Sequence, residues 1–589
     1  MPPVSNSVAI EAGPIQQNPQ QAPAARPVLE RLERLLERRF VIVCATLIAI
    51  ACIRIIATYN VLSLTVDEPI HMACGLQYLA DHVYRLEPQH PPLARLMVAL
   101  GPYLEGARPL GMKVGVEGVE VIARSGNVNR TIFLMRLGAL PFFVLACFAV
   151  LAWTNHFFGK LTAILATALF TLLPTILADA GMATTDMALA ATVGAAFAAG
   201  TYWAEKPSVA RSLMFGLTIG LAVLSKFTAL GYLPATLGLT LVFYLMVRRP
   251  GLRRLAGVTV RYAAPSALVL GTTMLVVWAV YLFSFGPFQT DFFHPASGHL
   301  LLPAPEFFTG IRDALDHNRE GHGAFLLGHF SMTGWWYYFP IALALKTPIA
   351  FLILLGIGTY VCIRERARPA YLMPLAFSLG ILLPAMKGHI DIGIRHIEPI
   401  YISFSIVAAL GLRQLLNWPR AGIAGALAGS ALVLWMVLSG ALQHPDYLAY
   451  FNAFAGPKPE NILVDSNYDW GQDLKLLAAR LHQLGAQQVF LATLSGVDRP
   501  EYLESWYGLP NVHVEQIYPP PALRDSHVCA PAPSWNVVGA TFEQSLRFVI
   551  FGKDMPTPWY KTVAPTERLG PLLLYNIPPG SHIHTSGCE

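Results

Sequence analysis

Apolar and polar positions alternate along this chain in long blocks. Eleven apolar stretches stand out, near 40–60, 132–153, 161–178, 185–203, 211–225, 228–247, 262–284, 339–363, 370–386, 396–412 and 421–440. Stretches of about 18 to 25 apolar residues are long enough to cross a hydrocarbon core of roughly 30 Å as helices. Ser225-Lys226 divides the fifth from the sixth with almost no loop. About 70 residues separate the first two stretches, and within them two shorter segments carry a helical period. Ile70, Ala73, Leu76, Leu79, Ala80 and Val83 share one face of a helix starting near Pro69, and Leu93, Leu96, Met97, Leu100 and Leu104 share another after Pro91-Pro92. Proline suits a first helical turn because it has no amide proton to leave unpaired. Amphipathic helices beside a membrane exit are predicted to lie in the interface, roofing the bundle.

After Gly440 the pattern becomes that of a water-soluble fold. NILVDS is predicted as a strand, DLKLLAARLHQLG as a helix with a glycine stop, and QQVFLATLS as a second strand, a βαβ order that favours parallel pairing. NVHVEQ, SWNVVGAT and GPLLLYNI supply further strands, and EYLESWYG a helix. The predicted fold is an all-α polytopic membrane bundle of about eleven helices, with interfacial helices in its first external loop and a small C-terminal α/β domain outside the membrane. Residues 1–38 form a cytosolic tail and amphipathic helix, 39–440 the transmembrane domain, and 441–589 the external domain. The tail to Pro27 is rich in Pro, Ala and Gln and is expected to be disordered. Leu29, Leu32, Leu35 and Leu36 then fall at helical spacing among acids and arginines.

Composition agrees with this reading. The 589 residues are 54% hydrophobic and 13% charged, and the mean hydropathy is +0.48, outside the range of soluble proteins. Arginines and lysines cluster before the first stretch and in alternate short loops, at Lys206–Arg211, Arg248–Arg254, Arg364–Arg368 and Arg413–Arg420. With a cytoplasmic N-terminus every cluster falls inside, as the positive-inside rule requires. The first loop, 285–338, 387–395 and all residues beyond about 440 are then external, which places the C-terminal domain in the periplasm of an inner-membrane protein. The net charge of +5 is accounted for by this anchoring and implies no nucleic-acid partner. No cleavable signal peptide is read, and the first apolar stretch itself would direct insertion. The cysteines show no CxxC pair and no Cys/His zinc spacing, so no structural metal site is expected. Cys529 and Cys588 are the thiols of the external domain and are expected to pair.

Ionisable residues gather at the external membrane surface. Asp67 and Glu68 open the first loop, followed by His71, Glu87 and His90. Asp179 and Asp186 flank an external turn, and Lys226, Lys387, His389, Arg395 and His396 supply positive charge. Groups at that depth face a cavity, because exposure to lipid is costly. Plain structural roles compete: Asp67, Glu68 or Asp186 as helix caps, Lys226 as an interface anchor, His389 as an ordinary interfacial histidine. Arg395 is harder to dismiss, since outer-end arginines oppose the orientation rule. Arg54, inside the first stretch, is expected to pair with an acid in the bundle. Carboxylates that accept a proton from a hydroxyl, beside cations that stabilise a departing phosphate, describe displacement of a lipid phosphate by an alcohol.

VDEP, HPPL, TTDMAL, SKFTAL and IGIRHIEPIY together resemble the GT-C superfamily of integral-membrane glycosyltransferases, in the branch of protein O-mannosyltransferases and lipid A aminoarabinose transferases. YYFPIALALKTPIAFLILL and HPDYLAYFNAFAG, with LVDSNYDWGQDLKLLAARL, resemble bacterial phospholipid-carrier-dependent glycosyltransferases of the family 39 type. The resemblance covers about residues 40–500 and implies a GT-C bundle. It implies transfer of a hexose or pentose, mannose among the options, from a polyprenyl phosphate to a hydroxyl acceptor on a protein, lipid or glycan, with inversion and no nucleotide sugar at the site. Asp67 matches the acid that in this family acts as base or orients the acceptor, and Glu68 its companion. His90, Lys226, Arg395 and His396 match positions presented to the donor phosphate, and Asp186 an acid at the external end of an early span. Gln89 stands where relatives often have an acid, which weakens any divalent-metal role, with Glu87 the nearby substitute. No cofactor is firmly implied. The DSNYDWGQDL stretch, Asp465–Leu474, marks the resemblance without an assigned reaction. A transporter or flippase of lipid-linked sugars is the competing class, and the absence of paired half-repeats with interrupted helices argues against it.

Overall fold

Each of the eleven apolar stretches coincides with a helix or a bent helix pair in the computed structural model. The structure describes residues 26–289, 297–418, 423–497, 499–515, 526, 528–552, 556–581 and 583. Five helices among them are long and apolar enough to cross a membrane, or up to eight if each of three bent pairs is one span. Val209–Ser225, Pro369–Ala385 and Ile400–Leu416 are shorter apolar helices. The tight break at Ser225-Lys226 is real: Lys226 is extended, ending one helix before the next begins at Ala229. The chain is thus a multi-pass helical membrane protein.

The first loop folds as predicted from its prolines, into helices Glu68–Asp81 and Pro92–Leu104. A third helix, Val114–Arg124, was not legible in the period. The first two helices cross where a Cβ at Gly75 would overlap the carbonyl of Arg95, so a larger side chain would force them apart. More than a roof on the bundle, these helices are a shared core. Met72, Leu76, Val98 and Val121 pack in one cluster with Leu477, Leu481, Val489 and Leu503 of the C-terminal region. Burial on that side explains why helix Glu68–Asp81 is covered over most of its first half instead of showing one wet face.

The C-terminal region carries a five-stranded sheet in the order Val512–Val514, Val489–Ala492, Trp535–Gly539, Leu572–Asn576, Glu567–Leu569. The first three strands pair in parallel and the last two antiparallel. Helix Leu474–Gln483 is present where the sequence predicts it, but NILVDS is not a strand. It forms two short 3-10 turns, Pro459–Asn461 and Asp465–Asn467, that reach back to the bundle. The parallel crossover therefore runs through helix Pro500–Tyr507 instead. The segment 285–338 contains two hairpins and helix Pro305–Glu320. Among the described residues Arg54 meets no acid: its Nε donates to the Tyr447 hydroxyl at 3.2 Å, and its guanidinium lies 5.4 Å from that ring's centre. Cys529 is disulfide-bonded, whereas Cys588 and the tail before Arg26 lie outside the described residues.

Candidate active site

Four helix ends bring the predicted acids and bases together. Asp67 follows the first apolar helix, Asp186 opens helix Asp186–Glu205, Lys226 closes helix Val209–Ser225, and Arg395 sits in a 3-10 turn ahead of helix Ile400–Leu416. Lys226 Nζ lies 2.6 Å from Asp186 Oδ1, and Arg395 Nη1 bridges Asp186 Oδ2 at 3.2 Å and Asp67 Oδ2 at 3.0 Å. One network thus joins all four. Asp67 makes no side-chain cap to its helix, and Lys226 is buried against Asp186 instead of reaching to an interface. Exposure separates the two acids: the Asp67 side chain is 31% exposed and that of Asp186 0%. Asp186 neutralises the buried cations, and Asp67 is the carboxylate that an incoming molecule can reach.

Arg395 is held on its remaining sides by the DSNYDW stretch. Its Nε donates to Ser466 Oγ at 3.0 Å, and its guanidinium lies 4.0 Å from the centre of the Trp470 ring. A cation over an indole face gains electrostatic attraction and loses water on that side. Ser466 Oγ donates in turn to the Ile392 carbonyl at 2.9 Å, and Asn467 Oδ1 accepts from the Ile394 amide at 3.0 Å. Lys346, buried in the bundle, donates to the carbonyls of Leu448, Tyr450 and Asn467 and so pins this segment to the membrane helices. The motif is therefore a brace for Arg395, a role that only the fold reveals.

Gly393 makes that brace possible, because a Cβ there would overlap Ser466 Oγ. Its φ of −178° is ordinary extended backbone, so alanine would act through the clash alone. Gly393→Ala should destabilise the fold by about 1.5–3 kcal/mol, the scale of one lost hydrogen bond to a charged group. Thermal unfolding of the purified variants in detergent checks this. Gly393→Ala added to Ser466→Gly should cost much less, since the overlapping oxygen is then gone and Arg395 Cγ, at 3.3 Å, is the tight neighbour that remains.

Glu68 has a different surrounding from its neighbour. Its carboxylate is fully buried and takes Arg136 Nε and Nη2 at 2.8 Å each, with the Thr65 and Ala183 amides at 2.9 Å. Burial opposes its charge, and the Arg136 guanidinium and the two amides override that, holding the carboxyl below its ordinary range. Arg136 further donates to the carbonyls of Tyr59, Leu62 and Ser63. This pair fixes the backbone on which Asp67 sits. Arg136 was missed in the sequence because it lies inside an apolar stretch with no motif around it.

His90 belongs to a second cluster. Its Nδ1 is 3.7 Å from Glu87 Oε2, and its ring meets that of His71 edge-on at 5.5 Å. Arg95, also missed, is fully buried. It pairs with Glu87 and donates to His71 Nδ1 at 3.1 Å and Tyr84 Oη at 3.0 Å. Burial would raise the Glu87 carboxyl, but Arg95 and His90 take it down to about 2. Burial and the positive charges of Arg95 and Lys226 outweigh Glu87 at His90 and keep that imidazole below its usual range. His90 is thus held toward its neutral form beside a Glu87 carboxylate that pairs chiefly with Arg95. Among the described residues no group of three His, Cys, Asp or Glu is set to hold a metal ion. The His396 carbonyl accepts from the Tyr232 hydroxyl at 3.0 Å, while its Nε2 is buried without a partner among the described residues. Both carboxyl oxygens of buried Glu398, in the same RHIEP run, also lack one.

A helical bundle with an acid–base network at one set of helix ends defines an integral-membrane protein with a buried polar centre, the arrangement that the sequence's resemblance to GT-C glycosyltransferases implies. The profile of the dolichyl-phosphate-mannose-protein mannosyltransferase family matches residues 43–292, which bears out that resemblance and spans Asp67, Asp186 and Lys226. No curated protein sequence gives a significant match. Among solved structures, ArnT from Cupriavidus metallidurans bound to undecaprenyl phosphate is 14% identical, covering 90% of this chain and 97% of its own, with a TM-score of 0.47. The archaeal oligosaccharyltransferase AglB from Archaeoglobus fulgidus, in complex with an inhibitory peptide and a dolichol-phosphate, is 12% identical, covering 68% of this chain and 55% of its own, with a TM-score of 0.43.

Proposed function

We propose that this protein transfers a sugar from a polyprenyl-phosphate donor to a hydroxyl acceptor on the external side of the membrane. The observation that carries the reading is the shared network: a reachable carboxylate, Asp67, contacts the same arginine that Asp186, Ser466 and Trp470 hold in place. The acceptor O–H gives its proton to Asp67 as its oxygen attacks the anomeric carbon. The bond from that carbon to the phosphate oxygen breaks on the opposite face, and its electron pair leaves with the polyprenyl phosphate. Attack opposite the leaving group inverts the anomeric centre. Arg395 and Lys226 stabilise the charge that grows on the phosphate, and the hydrogen bonds already made by Arg395 leave Nη2 for it among the described contacts. His90 contributes a neutral hydrogen bond, and Glu68 positions Asp67 through the backbone. The family match supports a donor of the polyprenyl-phosphate-sugar kind, mannose among the sugars to be tried. We place the N-terminus in the cytoplasm and residues 441–589 outside an inner membrane, from the arginine distribution.

Purified protein given radiolabelled polyprenyl-phosphate sugars should release polyprenyl phosphate and pass the label to a hydroxyl compound or to water. In proteoliposomes, movement of intact donor between leaflets with no cleavage would replace this reading by that of a flippase.

A further inference from the structure

A cleft of about 380 Å³ opens in the first loop, away from the residues of the ion network. Arg108, Arg124 and Arg130 line it, and among the described residues Glu105 is the acid in its wall. Arg130 pairs with Glu105 at 2.7 Å. Arg124 reaches only to 4.0 Å from Glu120, whose charge is shared with Arg499 at 2.9 Å. Arg108 engages no carboxylate among the described residues. It is fixed by the carbonyls of Tyr103 and Ala107, at 2.8 Å each, and by the Tyr103 ring. The cleft is thus a concave site with an excess of oriented guanidinium groups.

Its place in the fold narrows the ligand. Arg130, Thr131 and Leu134 of its wall belong to the start of the helical run Val128–Phe158, which Asn127 caps, and that run is apolar and long enough to span a membrane, so the cleft sits at the water-facing end of a span. Exposed apolar side chains follow the same helices: Leu104, 76% exposed, precedes Glu105 of the wall, Leu100 lies one turn before it, and Leu137 lies one turn beyond Leu134 of the wall. Arginines that merely anchor a helix end reach outward to lipid phosphates and need no cavity. Guanidinium groups converging in a pocket match the oxygens of a phosphate, with a geometry that lysine does not offer. The leucines beside them match acyl chains.

We propose that this cleft binds the phosphate of an anionic membrane lipid whose acyl chains lie against Leu100, Leu104 and Leu137. The site is separate from the donor site and does not depend on which sugar is moved. Native mass spectrometry of the full chain in detergent tests it, with phosphatidic acid and phosphatidylcholine of identical acyl chains as probes. The wild type should retain phosphatidic acid about tenfold more tightly than phosphatidylcholine, and Arg108→Ala/Arg124→Ala should lose that preference, a scale expected for one charged contact. The corresponding double lysine variant should keep part of it. Should the double alanine variant not purify folded, Arg108→Gln gives the same reading, because that guanidinium meets only its own helix end. Equal retention of both lipids by the wild type, or an undiminished preference in a folded variant, overturns the proposal. Displacement of phosphatidic acid by millimolar inorganic phosphate overturns the assignment to a lipid and leaves a soluble anion as the ligand.

Discussion

Asp67→Asn should slow single-turnover transfer about 10²- to 10⁴-fold, the usual scale of lost general-base assistance, without weakening the donor. Asparagine keeps the size and the hydrogen bond but cannot take the acceptor proton. Because Asp67 contacts Arg395 at 3.0 Å, removing its charge also frees that arginine from one anionic partner, so donor affinity should hold or rise. Arg395→Ala should behave differently. It removes a charge-assisted contact that operates in the ground state and the transition state alike, so binding and transfer should fall together. Direct binding of a polyprenyl-phosphate sugar, measured beside single-turnover transfer on each purified variant, separates the two. Normal transfer by Asp67→Asn would move the base elsewhere. Unchanged donor binding by Arg395→Ala would leave that residue as a purely structural brace.

Arg136→Met should destabilise the fold by about 3–5 kcal/mol, the cost of stripping one partner from a buried ion pair. Glu68 would be left charged and enclosed, and the carbonyls of Tyr59, Leu62 and Ser63 would lose their donor. Thermal unfolding in detergent at a fixed scan rate should show a clear fall in apparent Tm. The double variant Glu68→Gln/Arg136→Met should recover part of it, since no unpaired charge then remains. The sign with pH follows from the lowered Glu68 carboxyl. The pair stabilises the fold above the usual carboxylate range, and the contribution is lost as pH falls through the lower folded value. An unchanged Tm for Arg136→Met would mean that water reaches Glu68.

Hydrophobic patterning made the spans and the two proline-led helices legible, because helix formation in a membrane is dictated locally. A backbone in lipid must satisfy its own hydrogen bonds, and about 20 apolar residues do that without outside help. The acids and bases at helix ends were legible for a related reason: charge is expensive there and is kept only where it is neutralised or used. The sequence alone therefore pointed to Asp67, Asp186, Lys226 and Arg395 as residues. It could not pair them, since Asp67 and Arg395 meet across most of the chain. NILVDS was misread because a β-branched run scores as a strand wherever it lies, and tertiary contacts with the bundle turned it into 3-10 turns. The same contacts gave DSNYDW its place: Ser466 and Trp470 are ordinary polar and aromatic residues until the fold sets them against Arg395. Glu68 and Asp67 are adjacent and chemically alike, yet one is closed in by Arg136 and the other stays partly exposed beside Arg395. Burial and partners decide a carboxylate's work, and both are properties of the assembled structure.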